Sequence, residues 1–208
     1  MRFWGFVLWR GRRFAAALVR ALIRDRLWYT RCMFIDCVEC GSRFEAAGRR
    51  GRSPRFCGAT CRKRASRRRA DVKRVFVERV GDRWVRARGK RPVMVDGSPA
   101  SSTNPATWSS FDVVQRGAGD GFGVMLGGGL GCYDLDGCFD ESGRLSSSAR
   151  DFVRSIPEPV LMVELSMSGR GLHVFVEASE GPGSRRGGVE RYTKSRFIRT
   201  TFFEVNVT

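Results

Sequence analysis

Leu130-Gly131-Cys132-Tyr133-Asp134-Leu135-Asp136-Gly137 is the stretch on which the fold turns. Side chains alternate between the two faces of a strand, so an Asp-x-Asp at its end sends both carboxylates to one face and Leu135 to the other, into a core. Asp136-Gly137 ends this strand, and Gly121 to Leu126, across a glycine turn, reads as a second strand beside it. Ser146 to Ile156 opens on a serine and stops at Pro157, which predicts a helix. Val160 to Leu165, Leu172 to Ala178, Val189 to Tyr192 and Phe197 to Val205 alternate or run apolar, as strands do. Two strands, a helix and several further strands predict an α+β domain, with a mixed sheet and helices on one side.

This domain is expected to run from about Trp84 to Thr208. Lys90 to Thr103 is rich in Gly, Pro and Ser and reads as loop. Asn104-Pro105 then predicts a helix start, with Asn as N-cap and Pro at the first helical position. Trp108, Phe111, Val114 and Gln115 follow at helical spacing, with Trp108 as a packing anchor. The glycine runs lack the Lys-Ser/Thr ending of a P-loop and the spacing of a dinucleotide fingerprint, so they serve turns. The acidic pair does not open a calcium loop either. Cys138 and Phe139 stand where that loop needs an oxygen ligand and a glycine.

Asp134 and Asp136, then Ser168-Gly169-Arg170-Gly171-Leu172-His173, then Gly188-Val189-Glu190 place three carboxylates and the chain's only histidine on strand-like segments. Such a set suits a pair of divalent cations and phosphoryl transfer. Each piece alone has a blander reading: Asp-x-Asp as the polar end of a strand, His173 as a satisfied core residue. The ordered triplet of motifs outweighs both.

Charge points to the partner class. The 208 residues carry 38 Lys and Arg against 21 Asp and Glu, a formal net charge of +17. A surface so basic gathers polyanions in a salt-dependent way. Most of that charge is arginine, whose planar fork suits phosphate and stacks on bases. Seven cysteines, an odd number concentrated between Cys32 and Cys61, argue against a secreted disulfide framework. They favour a metal site in a reducing compartment, and the cytoplasm is the expected location.

Two segments precede the α+β domain. Residues 1–32 mix apolar residues with Arg10, Arg12, Arg13, Arg20, Arg24, Arg26 and Arg31, and form a basic amphipathic leader. Its apolar runs fall short of the roughly 18 residues a membrane span needs, so no membrane partner is expected. Met33 is read as the true start, with the leader an over-extension. Residues 33–80 form a zinc module: Cys37-x2-Cys40 and Cys57-x3-Cys61 are paired at zinc-ligand spacing, and four thiolates close a tetrahedral structural site. Gly41 and Gly58 are expected to supply tight backbone beside the sulfurs, and Cys32 is a stray candidate ligand. The looser second pair places Cys61 on the first turn of a helix from about Thr60 to Arg79. Arg62, Lys63, Arg67, Arg68 and Arg69 on that helix are the candidate contacts to nucleic acid.

The run from Lys90 onward resembles the catalytic domain of the archaeo-eukaryotic primase superfamily, in particular the phage and plasmid primase-polymerases. Three motifs carry the resemblance: Asp134-x-Asp136 at a strand end, Ser168-Gly-x-Gly-Leu-His173 leading into a strand, and Glu190 beginning a later one. The resemblance implies an RRM-like core that makes primers on single-stranded DNA from nucleoside triphosphates by two-metal phosphoryl transfer. Asp134, Asp136 and Glu190 would hold Mg²⁺ or Mn²⁺, with His173 catalytic alongside them. His173, Ser168, Arg170 and Arg196 would contact the nucleotide, His173 at its triphosphate. Glu190 stands where many relatives have aspartate. Relatives often continue into a helicase, so a separately encoded replicative helicase is the expected partner.

Competing functions fare less well. A rolling-circle nuclease needs a pair of histidines beside its tyrosine, and this chain has one histidine. A metal-dependent glycosyltransferase has no use for the cysteine pairs or the basic charge. The alternative that survives is a non-enzymatic, zinc-dependent DNA-binding protein with a degenerate primase-like domain.

Overall fold

The computed structural model describes residues 33–46, 54–139 and 144–207. The leader, Cys32 and the reading of Met33 as the start concern residues outside this set or its edge. The chain divides into two compact units, Met1–Arg64 and Ala65–Thr208. The boundary falls inside a helix.

In the first unit, β1 (Met33–Asp36) pairs antiparallel with β2 (Arg43–Ala46). The turn between them holds Cys37 and Cys40. Gly41 sits at φ 70°, where a side chain would be strained, and its N–H donates to the Cys37 carbonyl at 2.8 Å. Gly58 is not in that region of φ. Helix α1 (Ala59–Val80) follows, and Cys61 lies in its first turn.

The second unit is α+β. Its strands were expected in one mixed sheet; they form two sheets, and every pairing is antiparallel. The four-stranded sheet runs β11-β5-β3-β4, where β3 is Trp84–Arg88, β4 Arg91–Val93, β5 Gly121–Met125 and β11 Phe197–Thr200. The five-stranded sheet runs β7-β8-β6-β10-β9, where β6 is Leu130–Leu135, β7 Val160–Leu165, β8 Leu172–Glu177, β9 Ser184–Arg186 and β10 Val189–Tyr192. β5 and β6, expected side by side, belong to different sheets. Gly127, Gly128 and Gly129, all at positive φ, carry the chain from one to the other.

Alternation on the five-stranded sheet builds two cores. Leu130 and Cys132 of β6, Met162 of β7 and Phe175 of β8 pack with Phe76 and Val80 of α1, Trp84 of β3, Val124 of β5 and Ile198 of β11. Phe76 and Trp84 are wholly buried and meet edge to face at 6.0 Å. On the opposite face Leu135, Val163, Leu172, Val174 and Val176 pack against Ala149 and Val153 of α3 (Ser147–Ser155). Ser146 caps that helix as its sequence predicts, accepting from Ala149 N at 3.2 Å.

The helix expected from Asn104 onward is two pieces. Asn104 does cap, accepting from Ala106 N at 3.1 Å, but the 3-10 turn Pro105–Thr107 stops at Trp108. There Ser109 exchanges backbone hydrogen bonds with Trp84 at 2.8 and 3.0 Å, and Trp108 Nε1 donates to Ser101 O at 2.7 Å. Pairing with β3 wins over local propensity, and a separate short helix α2 (Phe111–Val114) follows. The strand expected from Phe197 to Val205 ends at Thr200, for a reason that lies in the site.

Candidate active site and metal centre

Glu164 of β7, His173 of β8, Asp134 of β6, Glu190 of β10 and Arg185 of β9 form one row across the five-stranded sheet, each directly opposite the next. Residues opposite one another in an antiparallel pair share a face, so the register itself gathers these groups. Two residues along each strand, Met162, Phe175, Cys132 and Tyr192 belong to or pack on the core of that same face. The row is where the core face turns polar. Asp136 lies one position past β6, exposed, its N–H bonded to Gly188 O at 3.0 Å.

Asp134 and His173 of this row, with Asp136 and Ser168, line a cleft of about 790 Å³ whose walls also include Lys90, Arg196 and Arg199, while Glu190, expected at the metals, is not among its lining residues. That size fits a nucleotide-scale ligand. Arg199 is held by Asp120, which it meets at 2.9 Å, and by Gly89 O. The Arg196 guanidinium lies 4.5 Å over the Tyr192 ring. Sequence reasoning named Arg196 and Ser168, weighed Tyr192 only as a nuclease tyrosine, and passed over Lys90, Arg199, Arg185 and Glu164. Of these only Glu164 left a signal, as the one charged residue in the apolar run Val160–Leu165. Arg170, expected at the nucleotide, is exposed on the turn and is not among the cleft's lining residues.

The Ser-Gly-x-Gly pattern is legible as backbone geometry. Gly169 sits at φ 71°, and a Cβ on Gly171 would lie 2.5 Å from Leu135 O. Ser166 Oγ accepts from Gly171 N at 3.1 Å and lies 3.0 Å from Ser168 Oγ, tying the turn beneath the cleft.

Charge is crowded here. Burial foremost pushes the Asp134 carboxyl above its ordinary range, with Asp136 and Glu190 adding to the shift and His173 and Arg196 opposing it. Glu190 is engaged on both oxygens, by Arg185 Nε at 3.2 Å and by Tyr192 OH at 2.7 Å. Among the described residues, Asp134, Asp136 and Glu190 do not draw together as tightly as the cysteines do. Like-charged carboxylates repel, and a divalent cation is the group that would relieve the crowding.

In the first unit the Sγ atoms of Cys37, Cys40, Cys57 and Cys61 all lie within 4.8 Å of one another. Cys40 and Cys57 are 3.7 Å apart, Cys57 and Cys61 3.5 Å. A tetrahedral ion with bonds of about 2.3 Å separates its sulfurs by about 3.8 Å, so the four thiols are compatible with structural zinc. Although burial works against its thiolate, backbone N–H groups of Cys57, Glu39 and Cys40 bring Cys37 down to about 6. The hydrogen bond with Cys57 leads the effects that push Cys61 up to about 12. Zinc would remove that competition for protons by replacing them.

Arg62, Lys63, Arg67, Arg68 and Arg69 are all exposed on α1. Arg68 also meets Glu204 at 3.3 Å. No helix among the described residues is long and apolar enough to cross a membrane. No protein-family model matches the chain, and comparison with curated proteins finds no match.

Proposed function

We propose that the second unit is a template-dependent nucleotidyltransferase, a DNA primase-polymerase that makes primers on single-stranded DNA, in phage or plasmid replication alongside a separate helicase. The observation that carries this reading is the register that sets His173 and Asp134 side by side in the wall of a cleft that Lys90, Arg196 and Arg199 also line, with Glu190 next to Asp134 in the same row. Asp134, Asp136 and Glu190 would hold Mg²⁺ or Mn²⁺, which when bound activates the attacking 3′ hydroxyl and offsets charge on the leaving pyrophosphate. Lys90 and Arg196 receive the triphosphate, with His173 beside them in the cleft wall. The zinc module grips template through the exposed arginines of α1.

One observation favours the second reading, a zinc-dependent DNA-binding protein without catalysis. Glu190 is paired with Arg185 and Tyr192 instead of standing open. Labelled-nucleotide incorporation on single-stranded DNA with Mg²⁺ or Mn²⁺ separates the two. The enzyme reading expects metal-dependent incorporation that Asp134→Ala abolishes while single-strand binding persists. Binding without incorporation in the wild type would leave the second reading.

A further inference from the structure

Glu164 is wholly buried, an expensive place for a carboxylate without partners. Its partners are specific. Oε2 accepts from two successive backbone N–H groups, Thr201 at 3.0 Å and Phe202 at 2.8 Å. Oε1 lies 3.0 Å from His173 Nδ1. Phe202 adopts φ 51°, a conformation that costs a bulky residue energy. That bend ends β11 and turns the two N–H groups together onto one oxygen, the kind of backbone concavity that binds anions. The Phe202 ring is meanwhile fixed between Phe76, Trp84, Phe111 and Phe122. The strain is therefore held from both sides.

A carboxylate so placed accepts on every side, so His173 Nδ1 must donate to it. Nε2 is left as the nitrogen facing the cleft, 3.8 Å from Asp134 Oδ1. We propose that Glu164 is a positioning residue: it locks the neutral His173 ring in the Nδ1–H form and leaves Nε2 facing the cleft as an acceptor. The tautomer follows from hydrogen bonding alone, while its use in the cleft rests on the nucleotidyl-transfer reading.

The chain's single histidine makes the test direct. In histidine-selective ¹⁵N NMR of untagged protein, at a pH where the ring is neutral, wild type should show a protonated Nδ1 and a bare Nε2, opposite to the preference of the free histidine side chain. Glu164→Gln keeps the shape but has one oxygen, which the Thr201 and Phe202 N–H groups claim. Its amide N–H₂ then faces Nδ1, and the ring should switch to the Nε2–H form. Binding of a nucleoside triphosphate with Mn²⁺ is measured on the same two proteins. A wild type with Nε2–H, or a folded Glu164→Gln variant with no switch, overturns the proposal. Correct tautomers with no nucleotide binding in the wild type would instead sink the nucleotidyl-transfer reading and leave the positioning role standing.

Discussion

Asp134 and Glu190 stand directly opposite each other on β6 and β10, so two acids nearly sixty residues apart in sequence share one face by register alone. Burial and these like charges raise the Asp134 carboxyl. A raised carboxyl pKa favours the folded state at acid pH and loses that contribution as pH rises from the unfolded value through the folded one. Above that window the charged carboxylate is a standing cost.

Asp134→Asn should therefore abolish nucleotide incorporation and, without divalent metal at neutral pH, leave the melting temperature equal to wild type or higher. Thermal melts across pH check this. A variant that melts clearly lower at neutral pH would mean that Asp134 is stabilising and that the crowding is misjudged.

Glu158 supplies the opposite sign. Partial burial works against its charge, but Arg191 at 2.7 Å and Tyr133 OH at 3.0 Å more than reverse this and hold it below the usual carboxylate range. Its contribution is present above the unfolded value of about 4.3 and is lost as pH falls through the lower folded value. Glu158→Gln should lower the melting temperature at pH 7, and the gap from wild type should shrink as the solution is acidified below about pH 4.

The cysteine cluster predicts a stoichiometry of about one zinc per chain. Elemental analysis of purified protein reads this directly. Cys57→Ser should lose the metal, while the circular dichroism of the second unit, whose cores use none of the four cysteines, stays as in wild type. Metal retained in that variant would break the four-ligand assignment.

Replacing Arg67, Arg68 and Arg69 together by Ala should flatten the salt dependence of single-strand binding by about two units, near 0.7 per lost phosphate contact. An unchanged slope would move the DNA-binding element away from α1.

Strong local signals read correctly: the serine cap and Pro157 around α3, the strands holding Asp134 and His173, the start of α1 at the second cysteine pair. Long-range competition hid the rest. Trp108 leaves helical conformation because the next residue pairs with Trp84, more than twenty residues upstream. β11 stops at Thr200 because a carboxylate on β7 claims the next two N–H groups. Lys90 and Arg199 carry no local sign of the cleft they line, since one lies on a hairpin turn and the other on a strand of the four-stranded sheet. Glu164 alone was legible in principle, as a charge inside an apolar strand that has to find partners.

The central claim is that Asp134, Asp136 and Glu190 together serve templated nucleotidyl transfer. Its most direct measurement is single-nucleotide incorporation on single-stranded DNA of defined sequence, with Mg²⁺ or Mn²⁺ and each nucleoside triphosphate offered in turn. The account predicts incorporation of the complementary nucleotide by wild type and none by Asp134→Ala or Asp136→Ala. Incorporation that ignores the template base, or that persists in both variants, would contradict it.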